Sequence, residues 1–577
     1  MTPFDDEAAA LPDKHQVNEQ PRTLAQLIDT IQADRSLSAD KRRDWTSSVR
    51  CFAKALNLDL ATAPAAIAPY RMQLRAFLPL GAGLKTKRWA TIRSGYGAAV
   101  RRYCPTTQCD DRPKRLSANW EICRGTLIAL RDDKLVRGLS AFIHFCKDNQ
   151  IEPDKVNDKI SARFLQFKRE ATTHSKPEKV HRQTCVLWNE AVDHDPGWPR
   201  QKLAIPSYRK RTSLAWDQLP PAFVADLAKW AESAAKRSEG FEDEEEGGAR
   251  PLADATIATR KEQMRRLASM MLKAGMPSAE LQSLRDLCRI NWLKAGLTLY
   301  AAQLGRKDAP SLCETMAGLI ALARHDLNMP SDVLVQLRKI KRQTGTRSRG
   351  MTEKNYERLR PLRDQMVCNR LITLPLKLAT AAGRLSHPRK RAIAFQTALL
   401  LAFLILIPLR LGNIRHLRLD QHFRWSSDRR RRRLFLVIPG SETKNKVRLE
   451  IEVPLLLQRL LEAYIEQHRS HFPHADGPSL FPGACDVTRP KTEVMLREQI
   501  EKAIARHIGI QFNPHLARHL AAYLWLREHP GDYGTVARML GHKNPQTTYQ
   551  FYCGLEQIET ALRYNEQILK TWTSKRP

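Results

Sequence analysis

The stretch that decides the fold runs Leu540-Gly541-His542-Lys543-Asn544-Pro545-Gln546-Thr547-Thr548, with Tyr549 and Tyr552 close behind. A glycine and a histidine precede a turn around Pro545, and two threonines lead into a helix bearing a tyrosine. A phenol has a pKa near about 10, so at neutral pH it is almost wholly protonated. It becomes a useful nucleophile only beside cations or a base. Either tyrosine also suits an ordinary core position, and the charges that would activate one must come from elsewhere in the chain.

Two segments upstream offer such charges. In Pro514-His515-Leu516-Ala517-Arg518-His519, His515 and Arg518 stand at i and i+3 and project from one helical face. Alone, the pair reads equally as a solvated basic face. In Ile407-Pro408-Leu409-Arg410-Leu411-Gly412-Asn413, Arg410 directly follows the apolar run Ala392–Leu409. An arginine there is either a partnered structural residue or an anion ligand. Between these segments, Arg433–Ile438 and Val447–Val453 read as a strand hairpin. Its turn carries Gly440, Ser441 and Asn445 with Lys444 and Lys446.

Breaking a DNA phosphodiester without a metal needs a specific set of groups. Negative charge builds on the non-bridging oxygens, so fixed guanidiniums should face it. A nucleophile must attack phosphorus, and a proton must reach the leaving 5′ oxygen. The three segments and the hairpin supply a candidate for each role.

In this order and spacing, the segments resemble the tyrosine recombinases, or phage-type integrases, over about residues 351 to 570. The resemblance implies that Arg410 and Arg518 clamp the scissile phosphate. It makes His515 a proton-transfer and positioning group, and His542 a hydrogen-bonding partner of the phosphate. It puts the proton donor to the leaving oxygen at Lys444, with Lys446 as the alternative. Nearby arginines lower a lysine's pKa and so suit it to that role. Neither metal nor other cofactor is implied.

Two positions depart from the family's pattern. The acidic residue usual three positions after the first arginine is Asn413 here, which can hydrogen-bond an arginine but not neutralise it. The nucleophile usually lies nine residues after the histidine, where this chain has Phe551. Tyr552, one further on, is the favoured nucleophile, and Tyr549 is the alternative.

The rest of the chain fits a nucleic-acid partner. Among 577 residues, 95 Lys and Arg face 61 Asp and Glu, for a net charge of +34. An excess of that size points first to a polyanion. The eleven cysteines form no CxxC pair. Those at Cys51, Cys146, Cys185 and Cys288 sit in apolar helical contexts, expected of reduced, buried thiols. The N-terminus is acidic and lacks the apolar run of a signal peptide. Ala392–Leu409 falls short of the ~20 apolar residues of a membrane span and contains Gln396 and Thr397.

The first 345 residues read as helical throughout. Stripes at Trp45, Val49, Phe52 and Leu56, and at Ile92, Tyr96, Val100 and Tyr103, have helical spacing. Similar runs recur at Leu139, Phe142 and Cys146, at Leu187, Ala191 and Val192, and from Met264, Leu267 and Met271 to Leu319 and Leu322. They suggest tandem modules over 21–108, 109–215 and 216–345, after a flexible 1–20. The third includes an acidic linker, 236–252, centred on Phe241–Gly248. A basic linker, Lys341–Gly350, precedes the segment 351–577.

The fold class expected is mainly α: helical modules similar to core-binding domains, then a mixed catalytic domain, mostly helical with a small antiparallel sheet. The function expected is site-specific DNA recombination through a 3′-phosphotyrosyl intermediate and a Holliday junction, serving a mobile element. Partners would be double-stranded DNA, further copies in a tetramer on DNA, and partner recombinases, with no membrane and a cytoplasmic, nucleoid-associated location. The amphipathic end of the chain, with Leu555, Ile558, Leu562 and Ile568, suits either a neighbouring protomer or its own domain. Two rivals remain: an enzyme like a type IB topoisomerase or telomere resolvase, and a catalytically silent DNA-binding protein of the same fold.

Overall fold

The computed structural model describes residues 22–104, 115–130, 132–208, 212–236, 251–345, 350–427, 432–542, 544–552 and 557–574. The expected flexible terminus 1–20, the acidic stretch Phe241–Gly248 and Leu555 lie outside them. The described residues are mostly helical, with one small antiparallel sheet, in line with the fold class expected. No helix among them is long and apolar enough to cross a membrane.

Two compact units divide the chain, one of 1–208 with 357–543 and the other of 209–356 with 544–577. In the first unit, the helices Leu24–Ala33, Ala39–Leu56 and Thr86–Tyr103 enclose one core. Its centre is Phe52, stacked on Tyr96 at 3.9 Å between ring centroids. A second core gathers Trp120, Phe142, Phe164, Trp188 and Trp198 from helices between Ala118 and His194. Cys146 and Cys185 are buried there, whereas Cys51 is only half-buried.

Four arginines join these two cores. Arg71 donates to the carbonyls of Lys168, Arg169, Thr172 and His174, and Arg75 to that of Ser175. Arg93 and Arg101 reach the carbonyls of Thr173 and Ala171. Guanidiniums serve here because a helix end leaves carbonyls unpaired, and a planar fork of donors satisfies several at once.

The same unit holds the segment 357–543. Its central helix, Pro388–Leu406, starts on a proline at its first position and is buried over Phe395–Leu404. It packs against the helices Leu455–Gln467, Glu493–His507 and Pro514–Glu528. The amide of Gln396, fully buried, donates to Tyr464 Oη at 2.7 Å and accepts from Lys491 Nζ at 2.6 Å. Those bonds explain how an apolar core tolerates it.

Beside the helices lies a sheet of β1 (Phe423–Trp425), β2 (Leu434–Ile438) and β3 (Leu449–Glu452), antiparallel and in that order. Leu436 pairs with Phe423 on one side and Ile451 on the other. The expected hairpin is present with shorter strands, and β1 went unread because three residues carry too little alternation to register.

In the second unit, helices from Pro221–Lys236 to Ser331–Gln343 close around Phe223, Leu227, Met264, Leu267, Met271, Leu319 and Leu322. The helices Pro545–Tyr552 and Gln557–Ser574 are assigned to this unit as well.

Candidate active site

Arg410 gains its place from the end of the buried helix. Pro408 has no N–H to continue the helical ladder, so the chain leaves the helix at Ile407. Arg410 is then the extended N-cap of the short helix Leu411–Arg415. Its side chain is half-buried.

Arg518 comes from the helix Pro514–Glu528, capped by the Asn513 side chain, which accepts from Leu516 N. Its side chain is buried at 3% exposure. One guanidinium nitrogen donates to the carbonyl of Pro408 at 2.6 Å, two residues before Arg410. Another donates to the carbonyl of Leu540 at 2.6 Å, two residues before His542. Arg518 therefore ties together the two loops that carry the other candidate phosphate ligands.

His542 is presented by a left-handed helix end. The helix Tyr533–Leu540 closes on Gly541 at φ +61°, where glycine has no steric penalty. Gly541 N then bonds the Arg538 carbonyl, and His542 N bonds the Ala537 carbonyl at 2.9 Å. The turn brings the imidazole beside Arg518, with Nε2 at 3.4 Å from a guanidinium nitrogen. Burial, then Arg518, Arg410 and His515, push its pKa down to about 4.

His515 is shifted in the same direction, first by desolvation and then by Arg518, Arg410 and Lys444. Arg518, Arg410 and Lys444 therefore all lie near enough to the His515 ring to act on its charge. Lys444 is an exposed residue of the turn between β2 and β3, and Lys446 stands in the same turn at φ +54°. Lys444 is a hairpin charge that acts on His515.

Three neighbours escaped the sequence reading. His519 is buried one turn beyond His515, its ring edge-on at 4.7 Å, and its pKa is pushed down to about 3 by burial and the surrounding cations and imidazoles. The i, i+4 spacing in His515-Leu516-Ala517-Arg518-His519 was the available signal. His422, also buried, accepts from Arg418 N at Nδ1 and meets Glu442 Oε2 at 3.0 Å through Nε2. Asn445 donates to the Gly541 carbonyl at 2.7 Å. Both contacts join residues far apart in sequence and leave no local trace.

The tyrosines stand on the helix Pro545–Tyr552, which belongs to the other compact unit. Tyr552 is buried at 3% exposure and Thr548, one turn before it, is fully buried, whereas Tyr549 is 50% exposed. Arg410, Lys444, His515, Arg518 and His542 thus come together in one unit, and Tyr549 and Tyr552 lie in the second. Among the described residues, no three His, Cys, Asp or Glu side chains group as a metal site requires.

Comparison with known proteins agrees with the C-terminal reading. Residues 382–557 match the model of the phage integrase family. No curated protein matches the chain in sequence. Among solved structures, the chain is similar to XerH site-specific recombinase bound to difH substrate, with 16% identity, 53% of this chain and 79% of that one covered, and a TM-score of 0.35. It is also similar to a lambda integrase tetramer bound to a Holliday junction, with 15% identity, coverages of 55% and 78%, and a TM-score of 0.31. An integrase from mycobacterium phage Brujita gives 16% identity, coverages of 57% and 91%, and a TM-score of 0.22. The match to the phage integrase family spans residues 382–557, the stretch that holds the two arginines, the two histidines, the hairpin lysines and both candidate phenols.

Proposed function

We propose that this chain is a site-specific DNA recombinase that cleaves and rejoins strands through a tyrosine. The observation that carries this reading is Arg518, whose two carbonyl bonds fasten the Arg410 loop to the His542 loop. A preorganised pair of guanidiniums with two imidazoles beside them suits the spread charge of a phosphoryl transition state. Both histidines are held below their ordinary pKa in the free protein, so each is ready to gain a proton when an anion arrives.

In this mechanism Arg410, Arg518, His515 and His542 grip the scissile phosphate. Tyr552 Oη passes its proton to neutral His515 and attacks phosphorus, forming the 3′-phosphotyrosyl bond while the P–O5′ bond breaks. Lys444 gives its proton to the departing 5′ oxygen. A 5′ hydroxyl of a partner duplex then attacks the phosphotyrosine and releases the phenol. Two such rounds pass through a Holliday junction. Each step exchanges one phosphoester for another, so no external energy source is required.

The helical modules over 21–108, 109–215 and 216–345 then close on flanking DNA, with 351–577 as the catalytic domain in a tetramer on DNA. The net charge of +34 supports a large phosphate footprint. Service to a mobile element, partner recombinases and a nucleoid location in the cytoplasm complete the reading.

The test mixes the full chain with a library of nicked duplexes, in which loss of the short cleaved strand traps the enzyme. A protein–DNA adduct stable to denaturant, and joined products from two separate duplexes, are the results expected. No adduct on any duplex would favour the silent DNA-binding protein. Relaxation of supercoils without exchange would favour the topoisomerase-like enzyme.

A further inference from the structure

The turn between β2 and β3 is closed on Thr443. This buried hydroxyl accepts from Val447 N at 2.9 Å and lies within bonding distance of the Gly440 and Val447 carbonyls. Lys446 N bonds back to the Thr443 carbonyl at 3.0 Å. These bonds shape the turn, but they do not say where its tip stands relative to the rest of the site. Two side-chain ties do that. On one side Glu442 meets His422, a buried ring whose Nδ1 accepts from Arg418 N. That acceptance leaves the proton of the neutral ring on Nε2, which donates to Glu442.

On the other side Asn445 Nδ2 donates to the Gly541 carbonyl at 2.7 Å. The bond spans 96 residues of sequence and joins the neighbour of Lys444 to the neighbour of His542. The two segments also approach through side chains. A Cβ added to Gly541 would meet Leu449 Cδ2 of β3 at 3.1 Å.

We infer that Asn445 is a positioning residue: its bond to the Gly541 carbonyl sets where the Lys444 ammonium stands against a phosphate held by His542 and Arg518. This rests on the recombinase reading above and adds the part that registers the proton donor against the phosphate ligands. In this role Asn445 is not itself one of the reacting groups. It acts through Lys444, so its loss should resemble loss of the proton donor.

The experiment compares the full-length wild type with Asn445→Asp, Asn445→Ala and Lys444→Ala on nicked duplexes. Asn445→Asp keeps the shape and removes the N–H donor. One set of duplexes carries the natural 5′ oxygen at the cleavage site, and the other carries sulfur there. On the sulfur substrate the tyrosine oxygen forms the new P–O bond, the P–S bond breaks, and its electron pair leaves on a thiolate that needs no proton. All three variants are expected to form adduct on the order of 100-fold slower on the oxygen substrate, the usual scale of a lost general acid. All three should recover to within several-fold of the wild type on the sulfur substrate, with DNA affinity unchanged.

An equal defect of Asn445→Ala on both substrates, or no defect, overturns the inference. A second measurement needs no activity. Amide exchange in the free protein is expected to speed up together over 440–448 and 541–542 in Asn445→Ala, and unchanged exchange overturns the tie. A wild type that forms no adduct on either substrate removes the recombinase reading and this role with it, while the exchange result still reports separately on the tie.

Discussion

A guanidinium nitrogen of Arg518 faces Nε2 of His542 at 3.4 Å. A guanidinium can only donate, so that nitrogen of His542 must be the acceptor and the neutral ring carries its proton on Nδ1. Under the proposed function, a phosphate arriving between them would take the Arg518 donor and raise the histidine's pKa from about 4.

DNA binding is therefore expected to take up a proton between about pH 4 and pH 6.5, where free His542 is neutral. Calorimetry in buffers of different ionisation heat measures this uptake. It should shrink in His542→Gln, and uptake of equal size in that variant would place the phosphate elsewhere.

Stability should depend on pH through the same ring and its buried neighbour. The pKa values of His519 and His542 lie at about 3 and about 4 in the folded chain, below the ordinary 6.5. As pH falls below 6.5 the unfolded chain binds protons that the folded chain refuses, so folding stability drops toward pH 4 and is fully present above 6.5. The urea midpoint of the wild type should fall more steeply over that window than that of His519→Gln. Parallel slopes would count against a neutral, buried His519.

Arg518→Lys should weaken both fold and chemistry. A single ammonium cannot reproduce the fork that reaches the Pro408 and Leu540 carbonyls. Leaving one buried carbonyl unpaired costs about 1–3 kcal/mol. A lower Tm together with loss of adduct formation is expected, whereas an unchanged Tm would mean that the two loops are held by other contacts.

Much of this site is legible in sequence because its groups lie on short, strongly patterned segments. The apolar run ending at Leu409 declares a buried helix with Arg410 directly after it, although the helix itself stops at Leu406, ahead of Pro408. The i, i+3 spacing sets His515 and Arg518 on one helix, and Gly541 marks the helix end that presents His542. What stays hidden depends on long-range registration. Nothing local says that Asn445 reaches Gly541, that His422 holds Glu442, or that Arg71 caps carbonyls near residue 170. The strand β1 is hidden for another reason, since its pairing with β2 supplies what its three residues do not.

The N-terminal core meets the 357–543 segment through a pair of glycines. A Cβ on Gly81 would lie 2.8 Å from the Gly509 carbonyl oxygen, and one on Gly509 would lie 2.5 Å from Gly81 N. Gly509 is also left-handed at φ +85°, as is Gly83 at +71°, but Gly83 faces open space. Gly83→Ala should cost about 1 kcal/mol from backbone preference alone. Gly509→Ala should cost roughly 1–3 kcal/mol more through the clash. Equal Tm losses for the two variants would show that the backbones do not approach so closely in solution.

The identity of the nucleophile tests the central claim most directly. The full chain, Tyr552→Phe and Tyr549→Phe are each incubated with nicked duplexes and denatured, and covalent protein–DNA adduct is measured, with the linked residue located by mass spectrometry. The account predicts adduct from the wild type and from Tyr549→Phe, none from Tyr552→Phe, and DNA attached at Tyr552. Adduct that persists in Tyr552→Phe, or DNA found on another residue, would contradict it.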